Sequence, residues 1–320
     1  MSGASECGLP DAEDVRRAAA RIAAHARVTP VMQSPALDEL AGATLHFKCE
    51  QLQRGGAFKF RGACNAVWAL TDKDAARGVV THSSGNHGNA LALAAATRGI
   101  ACHVVIPEGA VRAKVEAIEA AGAMVYRCAP TQAAREAETA RVQAATGATL
   151  VHPYTDANVM AGQGTVALEL LHQAGLLDAL VTPMGGGGLT SGCAIMARAL
   201  RPDIALFAAE PAGADDAARS LTAGHRVLDV VPNTLCDGLR ATLGEPNFVA
   251  LQGHHVEVLT VDDAQVVAAM KLVFRHLKQV IEPSSATVLA AVLSHRERFA
   301  GRQVGLVLSG GNVDLDALPW

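Results

Sequence analysis

Short apolar runs rich in β-branched residues alternate along the chain with alanine-rich segments of helical period, and this alternation is what most restricts the fold. The runs fall at 78–81, 102–106, 124–127, 180–183, 204–208 and 304–308, and the segment 44–49 alternates apolar and polar residues. The six runs suit strands covered on both faces. Helices are expected between them, over about 86–98, 111–122, 131–146, 159–174, 188–200, 262–279 and 284–298. Asp11 is placed to cap a first helix reaching about residue 26, with Thr29-Pro30 ending it. Strand–helix alternation at this spacing predicts an α/β fold: mostly parallel twisted sheets, helices on both faces, right-handed crossovers. With 320 residues, half of them apolar, the chain can build one large domain or two ordinary ones.

Charge and cysteine usage exclude several classes of function. The formal net charge is −4 and no long basic stripe is present, so a nucleic-acid partner is not expected. The seven cysteines, Cys7, Cys49, Cys64, Cys102, Cys128, Cys193 and Cys236, form no CxxC pair. They read as scattered reduced thiols of a cytoplasmic protein, without zinc spacing. The N-terminus is polar and acidic, unlike a signal peptide, and no stretch is apolar enough to span a membrane.

Four consecutive glycines, Gly185, Gly186, Gly187 and Gly188, follow the strand at 180–183 and open a helix. Glycines let the backbone curl so that several N–H groups converge, and the helix N-terminus adds partial positive charge. The arrangement suits a phosphate; the bland alternative is a tight strand-to-helix turn. The pattern is neither GxGxxG nor GxxxxGK[ST], which weakens dinucleotide and nucleoside-triphosphate readings.

Three other segments carry unusual chemistry. In RGGAFKFRGA (54–63), Lys59 lies between Phe58 and Phe60, where desolvation would lower its pKa and sharpen it as a nucleophile; a lone lysine is otherwise a solvated surface group. In THSSGNHGNA (81–90), Ser83, Ser84, Asn86 and His87 crowd a turn that could hold a carboxylate or a phenolic oxygen, or could simply cap a helix. In LSGGN (308–312), Ser309 ends the last strand, where ligands of α/β proteins collect, unless the segment is only a glycine turn.

Together these four segments, in their order and spacing from about residue 15 to 315, resemble the serine/threonine dehydratase group of fold-type II pyridoxal-phosphate (PLP) enzymes, which includes serine racemase and hydroxyaspartate dehydratase. The resemblance implies two α/β domains with PLP between them. A small mobile domain over 69–153 would be inserted into a large one formed by 1–68 and 154–320. It implies that Lys59 holds PLP covalently, Phe58 packs beside the ring, and Asn86 bonds the phenolic oxygen. Gly185, Gly186, Gly187 and Gly188 would cradle the phosphate, and Ser309 would face the pyridine nitrogen. Ser83, Ser84, Asn86 and His87 would surround the substrate carboxylate. The family's lysine motif usually has serine where this chain has Ala57.

The resemblance also implies a cation held by Glu210, the carbonyl of Ala214 and Asp216, an oxygen set suited to Mg²⁺, Mn²⁺ or Ca²⁺. The alternative is that Asp215 or Asp216 caps a helix and Glu210 is solvated. The implied activity is dehydration and deamination of a small hydroxy amino acid to a 2-keto acid and ammonia. A serine opposite the pyridine nitrogen weakens the electron sink and favours quick β-elimination over transamination. In racemase-like members a serine at the place of Ser84 works on the face opposite the lysine, so L- and D-serine interconversion is the rival outcome. His82 and Arg135 occupy places where serine racemase-like members contact a second acidic group of a ligand, which points to 3-hydroxyaspartate ahead of threonine. The alternative for Arg135 is a solvated helix charge paired with Glu136 or Glu138. Relatives are often homodimers. A catalytically silent binding protein of the same fold, or a nucleotide-dependent oxidoreductase, would lack the cofactor colour that Lys59 implies.

Overall fold

A computed structural model describes residues 8–110 and 112–320. Among the described residues ten strands follow one another: β1 (Val31–Met32), β2 (Thr44–Cys49), β3 (Val79–Thr81), β4 (Cys102–Pro107), β5 (Met124–Cys128), β6 (Thr149–Leu150), β7 (Ala179–Pro183), β8 (Ala205–Pro211), β9 (Glu257–Val261) and β10 (Gln303–Leu308). They form two sheets, one of six strands in the order β1-β2-β10-β7-β8-β9 and one of four in the order β5-β4-β3-β6. Every pairing is parallel except β1 with β2. Parallel strands need long crossovers, and helices supply them.

Those helices cover both faces of the six-stranded sheet. One face packs Leu37, Phe47, Leu259, Met270, Leu289 and Phe299. The other packs Val15, Leu170, Leu189, Met196, Leu206 and Leu251. Burying each such side chain contributes about 1.5–3 kcal/mol, which is why the runs legible in sequence are mostly apolar. A third cluster joins Phe60, Cys64 and Val67 to Leu91, Val104 and Ile118, so the helix that begins at Lys59 packs beneath the four-stranded sheet.

That helix, Lys59–Ala69, was not expected from sequence, because the glycine-rich residues before it have no helical period. Tertiary contacts hold it. At Gly162 an added Cβ would lie 2.6 Å from the Arg61 carbonyl oxygen, so the Ala157–Ala174 helix crosses it at backbone contact. Arg61, fully buried, bonds Glu50 through Nε at 2.8 Å and Glu169 through Nη1 at 2.6 Å. Lys48 closes the network on Glu169 at 2.6 Å. Removing one partner from a buried pair of this kind costs about 3–5 kcal/mol, so the network fixes the helix without being a large net source of stability.

Other elements differ in detail from expectation. Asp11 does cap the first helix, with Asp14 completing a capping box, but the helix ends at Ile22. The expected helix over 284–298 divides at His295. The strand β9 escaped the sequence reading because Glu257 and Thr260 leave its face partly open to solvent. Residue 111, expected to open a helix, lies outside the described residues, and that helix is seen from Arg112. Cys7 also lies outside them; the other six cysteines are free and buried.

Candidate active site

Parallel strands bring their carboxyl ends to one side, and four chemistry-bearing segments leave from such ends or abut them. Phe58 donates its backbone N–H to Ser309 at 2.9 Å, and Ala57 bridges to Gly310, so the lysine segment is bound to the turn after β10. Lys59 opens its helix and donates from Nζ to the Pro153 carbonyl at 2.9 Å. Burial pulls the amine down to about 8, with the charge of Glu282 opposing. The Phe58 ring centre lies 5.1 Å from the same nitrogen.

The tetraglycine turn runs from β7 into the Gly188–Leu200 helix. None of the amides of Gly185, Gly186, Gly187 or Gly188 donates to a protein acceptor among the described residues. Gly187 has φ +96°, and a Cβ on Gly186 would fall 2.6 Å from the Tyr154 ring. Glycine is therefore required on the packed side of the turn, while its amides stay free for an anion at a helix N-terminus. These unclaimed buried amides and the nearby desolvated amine fit a phosphate-bearing aldehyde.

Ser309 is buried, and its hydroxyl lies 3.1 Å from that of Ser285, which also bonds the Gly310 carbonyl and amide. A ring nitrogen here would meet a hydroxyl. Asn86 is held at both ends: its amide nitrogen donates to Glu282 at 3.0 and 3.1 Å, and its oxygen accepts from Asn312 at 2.9 Å. Burial pushes the Glu282 carboxyl up to about 7.

The turn after β3 carries the remaining candidates. Ser83 accepts the Gly85 amide at 3.4 Å, whereas the hydroxyl of Ser84 has no partner among the described residues. His87 is buried with Nε2 on the Val151 carbonyl at 3.1 Å and Nδ1 unpaired, and burial holds it neutral. Its ring thus supports the turn through the Val151 carbonyl, and its other nitrogen is an acceptor buried away from solvent. His82 meets His152 edge-on, ring centres 5.3 Å apart, and burial together with Arg135 lowers its pKa.

Arg135 is not paired along its helix. Glu138 is engaged by Arg141 at 2.7 and 2.9 Å, and Glu136 accepts from Gln132 at 2.7 Å. The buried Nε of Arg135 has no hydrogen-bond partner.

Glu210 and Asp216 lie apart from the lysine. Neither is solvated: Glu210 is fully buried and accepts the amides of Ala217 and Ala218 at 2.9 Å. Asp216 accepts the Leu243 amide at 2.7 Å instead of capping its helix. Burial and the neighbouring Asp216 and Asp215 push Glu210 up to about 8. Ala214 is buried in the short turn between them. No group of three or more His, Cys, Asp or Glu side chains suited to a metal occurs among the described residues.

Glu282, Ser285, His152 and Tyr154 all face this region, and the sequence reading missed them. A glutamate directly before a proline and two serines (EPSS, 282–285) was the available signal for the first two.

A family profile described as pyridoxal-phosphate dependent enzyme matches residues 22–310. The beta-hydroxyaspartate dehydratase of Paracoccus denitrificans is 49% identical over 312 residues, covering 98% of this chain and 99% of that protein. The serine racemase of Arabidopsis thaliana is 46% identical, covering 96% and 95%. The structure of maize serine racemase superposes with a TM-score of 0.94 at 45% identity, covering 96% of this chain and 95% of the other. With the profile spanning most of the chain and the lysine, glycine turn and serine gathered at one site, this protein belongs to the family of pyridoxal-phosphate dependent enzymes.

Proposed function

We propose that this chain removes water and ammonia from 3-hydroxyaspartate, with serine and threonine as poorer substrates, leaving a 2-keto acid. The observation that carries the substrate is the unpaired guanidinium of Arg135 beside His82, a cation left free for a second carboxylate. The dehydratase relative from Paracoccus denitrificans supports the same substrate class.

When bound, pyridoxal phosphate supplies the electron sink that makes the substrate Cα–H acidic. Lys59 would hold it, the amides of Gly185, Gly186, Gly187 and Gly188 would hold its phosphate, Asn86 would meet its phenolic oxygen and Ser309 its ring nitrogen, with Phe58 alongside. Burial already shifts the Lys59 amine toward its neutral form, so once released it would take the Cα proton. Ser83 and the amides of its turn would hold the α-carboxylate. Loss of hydroxide with that proton yields water and an enamine, which becomes an imine and hydrolyses to the keto acid and ammonia. A hydroxyl at Ser309, in place of an acid, favours elimination over longer-lived chemistry. The unpartnered hydroxyl of Ser84 supports racemisation as a second activity.

We further propose that residues 69–153, which contribute all four strands of the smaller sheet, close over the substrate. A hard divalent cation on Glu210, the Ala214 carbonyl and Asp216 would neutralise two buried carboxylates, of which Glu210 faces only further acidic charge and Asp216 feels only the charge of Arg226 in opposition. Six buried free thiols support a cytoplasmic setting. No helix of the described residues is long and apolar enough to cross a membrane. A homodimer completes the reading, and solution mass tests it. The activity is tested by following keto acid and ammonia release from serine, threonine and each 3-hydroxyaspartate isomer. Faster turnover of serine than of every hydroxyaspartate isomer would overturn the substrate assignment.

A further inference from the structure

We infer that His152 is a specificity-determining residue that donates its Nε2–H to the distal carboxylate of a dicarboxylic substrate, alongside His82 and Arg135; this rests on the dicarboxylate reading above.

The ring's tautomer is set by the backbone. Nδ1 of His152 accepts the amide of Thr155 at 3.2 Å and that of Tyr154 at 3.5 Å. A ring nitrogen that accepts carries no proton, so the neutral ring keeps its hydrogen on Nε2. That nitrogen has no protein acceptor among the described residues, and it is not among the buried side-chain atoms left unpaired, so water or a ligand can reach it.

The ring's direction is set by its neighbours. His82 lies edge-on at 5.3 Å and Tyr154 edge-on at 4.6 Å. Tyr154 is itself wedged against Gly186 and Gly188. Two ring neighbours and the backbone amides at Nδ1 therefore hold a single donor whose environment also includes Lys59.

The chemistry of that donor is recognition. Burial, then the charges of His82 and Lys59, hold the imidazolium down to about 4. At neutral pH the ring is neutral, and losing the Nε2 proton would leave an imidazolate, so it cannot act as the acid for the departing hydroxyl. A neutral donor strengthens a carboxylate pocket already built on one cation without adding another charge to desolvate. A monocarboxylic ligand leaves this donor to water; a dicarboxylic one engages it.

The test uses the holoenzyme. With ¹⁵N-labelled histidine, long-range ¹H–¹⁵N spectra should show His152 protonated on Nε2 only, and succinate should shift that proton and slow its exchange. In calorimetric titrations, His152→Phe keeps the flat ring and removes the donor. It should lower the ratio of succinate to propionate affinity by about tenfold or more, the range for a hydrogen bond to a charged group. His152→Gln, which regains a donor, should recover part of that ratio. An Nδ1-protonated ring, or equal losses for both acids, would overturn the inference. Should Arg135→Ala erase the succinate preference while His152→Phe leaves it intact, the dicarboxylate reading stands and this inference falls. Absence of any succinate preference in the unaltered enzyme would end both.

Discussion

The amine of Lys59 and the carbonyl of Pro153 meet at 2.9 Å across 94 positions of sequence. The contact sets the lysine against the His152 segment, in a buried setting that disfavours its charge. Lys59→Met should therefore yield colourless protein with activity reduced by at least about a thousandfold, since both the cofactor link and the base are lost.

The same substitution has a stability signature in the cofactor-free protein. The folded amine at about 8 lies below its ordinary 10.5, so the unfolded chain binds more protons between those values and stability rises with pH across that window. Lys59→Met should raise the melting temperature below pH 8, and the gain should shrink toward pH 10.5. A pH-independent gain in calorimetry would contradict the desolvated amine.

Glu282 behaves in the opposite sense. Its folded carboxyl, near 7, lies above the ordinary 4.5, so its contribution to stability is full below 4.5 and is lost as pH rises through 7. In the cofactor-free protein, Glu282→Gln should be more stable than the parent at pH 8 and nearly equal at pH 5. In the holoenzyme it should flatten any change of the visible band between pH 6 and 8, because Asn86 would no longer feel that titration.

The carboxyls at 210 and 216 predict a cation response. Without a cation, the contribution of Glu210 is full below 4.5 and lost as pH rises through 8. Added Mg²⁺ or Ca²⁺ should raise the melting temperature more at pH 8.5 than at pH 6.5, where protons compete. A cation at a hundred times its dissociation constant contributes about 2.7 kcal/mol. Glu210→Gln should abolish the response, and a response that survives it would place the cation elsewhere.

Arg135→Ala should lower kcat/KM for 3-hydroxyaspartate relative to serine by about 30-fold or more, the effect of leaving a desolvated carboxylate without its cation. Equal losses on both substrates would return Arg135 to a structural role.

Ser84→Ala should lower L- to D-serine interconversion relative to elimination by about a hundredfold, the scale of one positioned acid–base group. An unchanged ratio, read by chiral chromatography beside keto acid release, would remove Ser84 from the second face.

How much was legible in sequence depends on how local each signal is. Gly185 to Gly188 and Ser83 to His87 are contiguous, so their turns and helix starts announced themselves. The strands at 180–183 and 304–308 were visible because both faces are covered and only Thr182 carries a polar side chain. Glu282 and Asn86 are 196 positions apart, and neither pattern mentions the other. Arg135 stood undecided until Glu136 and Glu138 were found bonded to other groups. The helix at Lys59–Ala69 was hidden because its support is the Arg61 network and the crossing at Gly162, not its own period.

From the chain alone came the layered α/β architecture and the candidates for a reactive lysine and a phosphate turn, since periodicity and runs of glycine act over a few residues. Tertiary structure alone decided which titratable groups lose water, which ring nitrogen carries a proton and which cation is left unpaired. Those properties depend on the dielectric and on partners that folding brings from distant parts of the chain, and no local pattern encodes them.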